Sequence, residues 1–478
     1  MKKNIIGRKQ EISRLQELYK SNKPEFVAVF GRRRVGKTYL VREMLEKEFV
    51  FDLTGLAKGN MQKQLINFSY ALQQVSEQEF PVPNSWIEAF EQLISYLKIC
   101  DKKRKVIFID EISWLDTHKS DFLMALEHFW NGWVCSKRGI MLIVCGSATS
   151  WIVNNLINNH GGLYNRVTAS IELVPFTLRE TDLFLKSKNI HWSHYQVAEI
   201  YMIMGGIPFY LEKLQQGSSV TQNIDRIFFS KKAELKTEFK RLFSSLFRHS
   251  ENYEKFVEVL AANRYGLTRK EILEKTGMKS GNKITTILNN LEYSGFVRPY
   301  SQSTKNSEKK IEVIYQLVDA FSLFYFRFMH NNNFRDEKFW TNTINKPQHN
   351  AWIGLSFEIV CLLHVKEIKK KLEVLGVQSS EYAWRSKSSA PAVQIDLLLD
   401  RADNIVNVCE IKYSNMPYSI DKEYEEKLRI KIETFRQEIL PRKAIHLLMI
   451  TTFGVKQNKY YGIIQNEVTI YDLFVETE

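Results

Sequence analysis

The sequence predicts an α/β protein built on a parallel sheet. Three short apolar runs, at residues 26–29, 106–109 and 140–145, are typical of buried strands, and helix-like segments such as residues 121–131 separate them. Alternation of buried strands with helices indicates a parallel, doubly wound sheet, which binds its ligands at the carboxyl ends of the strands. The chain has 478 residues, a length that suggests about three domains.

Composition and charge exclude several classes of protein. With 44% hydrophobic and 25% charged residues, the chain is typical of globular proteins. No apolar stretch approaches the roughly 18 residues of a membrane span, and the start lacks the hydrophobic segment of a secretory signal, so we expect a cytoplasmic protein with no membrane partner. The five cysteines lie at least ten residues apart, which favours reduced thiols over a zinc knuckle or a disulfide framework. The net charge of +13 permits a polyanionic partner such as DNA without requiring one.

The first strand leads directly into a phosphate-binding motif. Residues 31–38, GRRRVGKT, fit G-x-x-x-x-G-K-[ST] without a gap. The glycines allow backbone N–H groups to face an anion, and the helix predicted over residues 38–47 directs its positive N-terminus at the same charge. We expect Lys37 to reach the outer phosphates of ATP and Thr38 to bind Mg²⁺. The predicted nucleotide-binding residues of this segment are Gly31, Arg34, Val35, Gly36, Lys37, Thr38 and Tyr39.

Polar residues follow the second and third strands. Residues 106–115, VIFIDEISWL, end the second strand at Asp110, which fits the carboxylate that holds Mg²⁺ in such sites. Glu111 is predicted to polarise the attacking water, and the alternative is an acid that merely favours a helix start. The third strand, within IMLIVCGSATS at residues 140–150, leads to Ser147. This serine either senses the terminal phosphate or is an ordinary turn residue.

Five segments together resemble a known family of ATPases. The segments are IIGRKQEISRLQEL before the first strand, GRRRVGKT, FIDEISWL, CGSATS, and GGIPFYL at residues 205–211. They are similar to the AAA-like ATPase family that is common in archaea and in some bacteria and is related to the STAND class. The resemblance covers most of residues 1–230. It implies that Gly7 and Arg8 lie near the adenine and that Pro208 contacts the nucleotide from a small helical lid.

The same resemblance assigns a role to an arginine. Arg166, in GGLYNRVTASIEL, occupies the position where this family keeps an arginine that acts as a finger or sensor on the terminal phosphate. It would act either in its own subunit or in a neighbour's within a homo-oligomer. The alternative is a surface arginine with no role in the site.

The middle of the chain resembles a winged helix-turn-helix. Residues 267–300 are predicted to form two short helices and a strand, and Thr268 with Glu271 is predicted to form a capping box. Helical spacing indicates a buried face, made of Ile284, Ile287, Leu288 and Leu291. A strand at 296–300, the polar turn SQSTKNSEKK and a strand at 311–318 complete the pattern. Such modules either bind DNA or pack as structural adaptors, and both alternatives stay open.

The last part of the chain carries a group of acids that resembles a nuclease site. A predicted hairpin of VQIDLLLD and IVNVCEIKYS brings Asp396 and Glu410 to one end of a sheet, and strand alternation puts Lys412 on the same face as Glu410. Asp-x13-Glu-x-Lys resembles the active-site pattern of PD-(D/E)xK nucleases, with Ile395 in place of the usual proline. Strands are also predicted at AIHLLMITTF and at VTIYDLF, residues 468–474, and the resemblance spans about residues 352–475.

The nuclease resemblance implies a role for each group. Asp396 and Glu410 would hold one or two Mg²⁺ ions against a phosphodiester, and Lys412 would orient or activate the attacking water. Glu358, on the preceding helix, resembles the additional metal-binding acid of this family. A charged hairpin with no catalytic consequence and an inherited fold without activity are the alternatives.

The sequence as a whole predicts four regions. They are a P-loop ATPase core at 1–175, a helical lid at 176–245, a winged helix-turn-helix at 246–320, and an aromatic connector with an α/β restriction-endonuclease-like domain at 321–478. The predicted function is an ATP-binding and ATP-hydrolysing switch, with ATP or ADP and Mg²⁺ as ligands, coupled to a nuclease-like domain that interacts with DNA. The alternative is a non-cleaving, nucleotide-controlled regulator that binds DNA or protein. A helicase or translocase motor is less favoured because the sequence shows no second motor core.

Overall fold

The chain divides into two compact units. In this computed structural model, residues 5–158, 161–279, 281–301, 313–386, 393–439 and 442–477 are described. The first unit comprises Met1–Pro175 and Asn289–Gly295, and the second comprises Phe176–Leu288 and Phe296–Glu478. Residues 302–310 of the predicted wing turn, and residues 311 and 312 of the strand predicted after it, lie outside the described residues.

The first unit is an α/β layer structure around a parallel sheet. Its helices are α1 (Lys9–Lys20), α2 (Lys37–Leu45), α3 (Met61–Val75), α4 (Trp86–Ile99), α5 (Phe122–Gly132) and α6 (Thr149–Ile152). Its strands are β1 (Glu25–Gly31), β2 (Phe49–Thr54), β3 (Lys105–Asp110), β4 (Ile140–Gly146) and β5 (Ala169–Leu173). Over the described residues the strand order is β2-β3-β4-β1-β5, and every neighbouring pair is parallel. The predicted parallel α/β sheet is therefore confirmed.

Burial on both faces explains why β1, β3 and β4, three of the five strands of this sheet, were predictable. Every residue of β1 and of β4 is buried, as expected for parallel strands that are covered by helices on both sides. Aromatic rings of α3, α4 and α5 pack together against one face of the sheet, and the rings of Phe90 and Phe129 stack with centroids 4.8 Å apart. The sheet is thereby held rigid, with the carboxyl ends of β1, β3 and β4 at one edge.

The second unit begins with helices and continues into a small antiparallel sheet. The helices are α7 (Leu178–Ser187), α8 (His194–Met204), α9 (Pro208–Leu211), α10 (Val220–Ile224), α11 (Glu238–Leu246) and α12 (Ser250–Ala261). Then follow β6 (Leu267–Thr268), α13 (Arg269–Thr276), α14 (Asn282–Tyr293), β7 (Val297–Ser301) and β8 (Val313–Leu317). The part of α14 from Asn289 onward belongs to the first unit. Among described residues the sheet order is β6-β8-β7, with antiparallel pairs. Both bonds of the capping box predicted for Thr268 and Glu271 are present at the start of α13.

An aromatic cluster connects this sheet to the last part of the chain. Helix α15 (Ala320–Phe324) is capped by Asp319, whose carboxylate accepts from the Ser322 N–H at 2.9 Å. The buried Phe324 ring lies 5.3 Å from the Trp340 ring and 5.6 Å from the Trp352 ring, measured between centroids. The large apolar residues of this segment therefore form a buried aromatic cluster, which also includes Phe228 and Phe229 from the preceding helical region.

A second, mixed sheet forms the end of the chain. Its elements are α16 (Pro347–Leu363), α17 (Val365–Lys371), β9 (Ser379–Arg385), β10 (Gln394–Arg401), β11 (Ile405–Lys412), α18 (Lys422–Ile439), β12 (Ala444–Thr451) and β13 (Asn466–Thr469). In the described part of the chain the order is β13-β12-β11-β10-β9, with antiparallel pairs among β9, β10 and β11 and parallel pairs among β11, β12 and β13. The sequence predicted a strand through Phe474, which is wrong beyond Thr469. Thr469 and Asp472 form a capping box that begins a 3₁₀ helix at Ile470–Phe474.

Within the described ranges, no helix combines the length and the apolar character that crossing a membrane requires.

Candidate functional site

The predicted phosphate-binding loop connects β1 to α2. Gly31, the last residue of β1, has φ +139°, and a Cβ at this position would lie 2.2 Å from the carbonyl oxygen of Leu173 on β5. Gly36 precedes α2 with φ +94°, a conformation that disfavours residues with a side chain. The two glycines of the motif are therefore required by backbone conformation, and at Gly31 also by close approach of a neighbouring strand.

The lysine of the motif is held inside its own loop. Lys37 is buried, and its ammonium donates to the carbonyl oxygens of Gly31 and Arg32, both at 2.9 Å. Burial lowers the pKa of Lys37, and the nearby carboxylates of Asp110 and Glu111 oppose this shift. The loop thus places a desolvated positive charge at the N-terminus of α2, where phosphate oxygens would replace the carbonyl groups.

The threonine of the motif contacts the predicted metal-holding acid. The Thr38 hydroxyl donates to Oδ2 of Asp110 at 2.7 Å, and the other carboxylate oxygen of Asp110 accepts from the backbone N–H of Glu111 at 2.9 Å. Asp110 is buried at the carboxyl end of β3, which is separated from β1 only by β4. A hydroxyl and a carboxylate at this distance are the protein ligands that Mg²⁺ has in P-loop sites.

The predicted water-polarising acid contacts the predicted sensor. Glu111 lies just past β3 with φ +47°. The Ser147 hydroxyl is 2.7 Å and 3.0 Å from the two carboxylate oxygens of Glu111, and the Ser147 N–H donates at 3.3 Å. Because β3 and β4 are parallel neighbours, their carboxyl ends bring the two residues together. The sequence predicted both residues but not this contact.

The segment before α1 lies against the loop. Arg8 is buried, and its guanidinium donates to the carbonyl oxygen of Val35 at 3.2 Å. Gly7 and Arg8 both have positive φ, of 65° and 58°. The structure therefore brings together the loop and the two residues that the resemblance assigned to the adenine, whose contact with the base stays a prediction.

Other residues assigned to the nucleotide are more exposed or lie outside the first unit. Arg34 has φ 74° within the loop, and Tyr39 on α2 is exposed. Arg166 is exposed on the turn that precedes β5. Pro208 is the first residue of α9, in the second unit. The nucleotide contacts of these residues stay predictions.

The hairpin of β10 and β11 forms a second candidate site. The pair Leu397 and Cys409 fixes the register, and Asp396 and Glu410 each lie one residue further toward the same end. The ammonium of Lys412 lies 3.0 Å from Oε1 of Glu410. The carboxylate of Asp396 accepts from the amide of Gln394 at 2.8 Å. The predicted clustering of the two acids and the lysine agrees with this geometry.

Glu410 is held by helix α18 as well as by Lys412. The Tyr424 hydroxyl donates to one carboxylate oxygen, and the Lys431 ammonium donates to the other, both at 2.5 Å. Burial acts to raise the pKa of Glu410, but the charges of Lys431 and Lys412 and the hydrogen bonds from Lys431 and Tyr424 outweigh it and lower the pKa to about 2. The sequence analysis missed Tyr424 and Lys431. Their spacing of seven residues, which puts them on one side of a helix, was the available signal.

Glu358 is paired with an arginine from a distant segment. Its carboxylate, on α16, forms an ion pair with the guanidinium of Arg264, which lies between α12 and β6. Burial raises the pKa of Glu358 to about 7, helped by the negative charge of Asp396 and opposed by Arg264. Burial also raises the pKa of Asp396. Arg264 is 94 residues away from Glu358 along the chain, and nothing in the sequence pattern indicated this contact.

Glu410 and Glu358 of the second site are therefore paired with positive side chains of the protein itself. Over the residues that the structure describes, no group of three or more His, Cys, Asp or Glu side chains is arranged to hold a metal ion. Carboxylate oxygens are nonetheless the donors that Mg²⁺ and Mn²⁺ prefer. The donor chemistry of this cluster fits a divalent ion, whereas its present ion pairs oppose one.

Comparison with known proteins identifies the first part of the chain. Residues 5–214 match a family described as an ATPase domain predominantly from Archaea. Over 371 residues the chain is 26% identical to an uncharacterised protein of Methanocaldococcus jannaschii, a match that covers 77% of this chain and 78% of that protein. An uncharacterised ATP-binding protein of the same organism is 40% identical over 44 residues, which are 9% of this chain and 75% of that protein. Together with the loop geometry, the family match shows that residues 5–214 are a P-loop ATPase domain.

Two solved structures are similar at low identity. The Walker-type ATPase PABY2304 of Pyrococcus abyssi has a TM-score of 0.47 and 17% identity, and the match covers 68% of this chain and 96% of that chain. A signal transduction ATPase with numerous domains and a tetratricopeptide repeat sensor, from Pyrococcus horikoshii, has a TM-score of 0.31 and 14% identity, and the match covers 78% of this chain and 52% of that chain.

Proposed function

We propose that the protein is a nucleotide-controlled switch, in which a P-loop ATPase domain binds and hydrolyses ATP with Mg²⁺ and governs a nuclease-like, DNA-interacting part of the chain. The observation that carries the ATPase proposal is the contact between Thr38 and Asp110, with Lys37 held in the same loop. Thr38 and Asp110 supply a pair of metal-binding groups, and Lys37 supplies a phosphate-binding cation at the N-terminus of α2.

Each group of the ATPase site has a role in this proposal. Thr38 and Asp110 hold Mg²⁺, which neutralises charge on the terminal phosphates when it is bound. Lys37 exchanges its bonds to the loop carbonyl groups for bonds to phosphate oxygens. Glu111 orients and polarises the attacking water, and Ser147 fixes the Glu111 carboxylate and responds to the terminal phosphate. Arg166 adds a positive charge from the same subunit or from a neighbour.

The test of the ATPase proposal is the variant Lys37→Ala. We expect it to lose tight ATP binding, measured by titration with a fluorescent nucleotide, while circular dichroism shows a folded protein. Lys47→Ala, which changes an exposed lysine two residues after α2, is the matched control and should bind ATP as the wild type does. Unchanged ATP affinity in folded Lys37→Ala protein would remove the assignment.

We propose further that Asp396, Glu410 and Glu358 are metal-binding acids of a PD-(D/E)xK nuclease-like site and that Lys412 orients water for attack on a phosphodiester. The antiparallel hairpin, the contact between Lys412 and Glu410 and the nearby Glu358 on α16 support this reading. A divalent ion bound by these acids would activate the water and stabilise charge on the phosphate. The pattern of α13, α14 and the antiparallel β6-β8-β7 sheet supports a winged helix-turn-helix beside it.

One observation favours the second candidate, a regulator that binds DNA or a protein without cutting. Both carboxylate oxygens of Glu410 are occupied, by Tyr424 and by two lysines, and Glu358 is occupied by Arg264. A site that stayed in this state would offer a metal ion neither carboxylate oxygen of Glu410 and would keep Glu358 paired with Arg264. The two candidates therefore differ in whether these ion pairs are released.

Cleavage of DNA distinguishes the two candidates. Labelled single-stranded and duplex DNA is incubated with the protein and Mg²⁺ or Mn²⁺, with and without ATP, beside an Asp396→Ala, Glu410→Ala double variant. Asp403→Asn, on the turn of the same hairpin, is the matched control. Cutting that is lost only in the double variant supports the nuclease. Absence of cutting in every condition, with ATP still bound, supports the non-cleaving regulator.

A further inference from the structure

The negative charges of the carboxylate cluster are already compensated without a metal ion. The negative groups are Glu358, Asp396 and Glu410. Arg264, Lys412 and Lys431 form ion pairs with them, and Arg298 on β7 adds a further positive charge that interacts with Asp396. A divalent ion added to this partly buried set would leave an excess of positive charge, which is unfavourable where water screens poorly. Metal binding therefore requires that at least one of these cations leaves.

Of the three cations that form ion pairs with the cluster, Arg264 can leave without rearranging the C-terminal sheet. Lys412 belongs to β11 and Lys431 to α18, which packs on that sheet through the buried Leu428 and Phe435. Arg264 instead lies outside these elements, on the turn between α12 and β6. Its side chain is also the most exposed of the three, at 40% against 33% for Lys412 and 22% for Lys431.

The turn that carries Arg264 is attached to the small antiparallel sheet. The carbonyl oxygen of Arg264 accepts from the amide of Gln316 on β8 at 3.0 Å. Gly266, with φ +74°, approaches the same strand so closely that a Cβ would lie 2.5 Å from the carbonyl oxygen of Tyr315. The Arg264 guanidinium also lies 5.0 Å from the centre of the Tyr265 ring. The backbone of Arg264 is therefore attached to the β6-β8-β7 sheet and would move with it.

We propose that Arg264 is a lock on the carboxylate cluster. Its guanidinium occupies Glu358 in place of a divalent ion, and the cluster accepts metal when the β6-β8-β7 sheet moves Arg264 away. This inference rests on the proposed nuclease-like site. It adds Arg264, a residue outside that site, as the group that controls metal binding. The metal affinity of the cluster then depends on the position of the β6-β8-β7 sheet.

The test is metal affinity, measured without any substrate. Mn²⁺ is titrated into full-length, nucleotide-free protein, and free Mn²⁺ is followed by electron paramagnetic resonance. We expect Arg264→Gln to bind Mn²⁺ about tenfold more tightly than the wild type, a difference of about 1.4 kcal/mol, because a competing charge is removed. Arg269→Gln, at the start of α13, is the matched control and should behave as the wild type. Unchanged or weaker Mn²⁺ affinity in Arg264→Gln overturns the lock.

Two further variants secure the interpretation. Arg264→Met keeps an apolar stem over the Tyr265 ring and is the second uncharged variant if Arg264→Gln does not fold. Adding Asp396→Asn and Glu410→Gln to Arg264→Gln should abolish the gain in Mn²⁺ affinity. A gain that persists in this triple variant lies elsewhere in the protein and overturns the lock.

Metal affinity and DNA cleavage together distinguish failure of the Arg264 lock from failure of the nuclease proposal. If Arg264→Gln gains Mn²⁺ affinity at the cluster but neither it nor the wild type cuts DNA, the lock stands and the nuclease proposal fails. If the wild type cuts DNA and Arg264→Gln changes neither Mn²⁺ affinity nor cutting, the nuclease proposal stands and the lock fails.

Discussion

At the scale of single residues, the ATPase site contains a hydrogen bond between the proposed sensor, Ser147, and the acid proposed to polarise the attacking water, Glu111. Ser147 donates to the carboxylate of Glu111 at 2.7 Å. We expect Ser147→Ala to leave ATP affinity within about twofold and to lower kcat about tenfold, because a hydrogen bond to a charged group contributes about 1.5–3 kcal/mol and Glu111 would lose its orientation. Steady-state hydrolysis and a separate nucleotide titration measure the two quantities.

Ser150→Ala, three residues further along, is the matched control and should change neither quantity. A kcat that rises in Ser147→Ala would indicate that Ser147 restrains Glu111 instead of positioning it, and the role proposed for this serine would be wrong.

The sequence predicted residues whose role follows from local spacing or from a family resemblance, and it missed contacts that depend on the tertiary fold. The loop residues around Lys37 follow from eight consecutive positions, because one strand, one turn and one helix build that site. Glu358 and Arg264 meet across 94 residues, and their pairing depends on how α16 packs near the turn before β6. A single sequence carries no signal for such a contact.

At the scale of secondary structure elements, the junction of α8 and α9 depends on a glycine. Gly206 has φ +67°, and a Cβ there would lie 2.2 Å from the carbonyl oxygen of Phe176, whose N–H donates to Gly206 at 2.8 Å. We expect Gly206→Ala to lower the free energy of unfolding by about 3 kcal/mol through the combined clash and strain. Urea unfolding followed by circular dichroism is the measurement.

Gly217→Ala separates the two contributions. Gly217 has φ +77° but no atom within 4 Å of the added Cβ, so this variant should lose only the conformational part, about 1 kcal/mol. Equal losses in the two variants would show that the approach of Phe176 contributes nothing.

Helix α8 also carries an acid that makes stability depend on pH. Burial raises the pKa of Glu199 from its usual 4.5 to about 7. The folded protein therefore binds a proton at Glu199 more tightly than the unfolded chain does. The stabilisation of the folded state by this proton is fully present below pH 4.5 and is lost as pH rises through 7. We expect Glu199→Gln to gain about 1–3 kcal/mol in unfolding free energy relative to the wild type between pH 5 and pH 8.

Urea unfolding of both proteins at pH 5 and pH 8 tests this expectation, with Glu212→Gln, an exposed acid that pairs with Lys188, as the control. If the free energy of unfolding falls equally in the wild type and in Glu199→Gln between pH 5 and pH 8, the raised pKa of Glu199 is contradicted.

The predictability of each strand followed from its burial. β1, β3 and β4 are apolar along most of their length because helices cover both faces of the parallel sheet, and each was predicted. β9 was not anticipated, because it lies at the edge of the second sheet and is mostly exposed or half-buried, so that its sequence SSEYAWR shows no apolar run. The end of the chain was assigned too long a strand because a capping box starts a helical turn after Thr469.

At the scale of the whole molecule, the ATPase domain extends beyond the first unit. The family match runs to residue 214, whereas the first segment of the first unit ends at Pro175, so helices α7, α8 and α9 of the matched range belong to the second unit. There they contact the end of the chain. The ring of His194 stacks on Phe474 at 4.0 Å between centroids, and the backbone N–H of Leu178 donates to the ring nitrogen of His364 at 3.0 Å. Any nucleotide-dependent shift of these helices would therefore reach the 3₁₀ helix at Ile470–Phe474 and the junction of α16 and α17.

Tyr195 on α8 offers a way to test this coupling. Its ring lies 5.4 Å from Phe453 and 5.6 Å from Tyr413, which directly follows Lys412 of the proposed nuclease site. We expect the wild type to bind DNA with different affinity in ADP and in a non-hydrolysable ATP analogue, and Tyr195→Ala to lose most of that difference while it still hydrolyses ATP. Fluorescence anisotropy of labelled DNA measures the affinity, at one fixed ionic strength because contacts to phosphate depend strongly on salt. Tyr70→Ala, an exposed tyrosine on α3, is the matched control. If Tyr195→Ala keeps the full nucleotide effect, the signal does not pass through α8, and the switch must use another connection between the ATPase domain and the end of the chain.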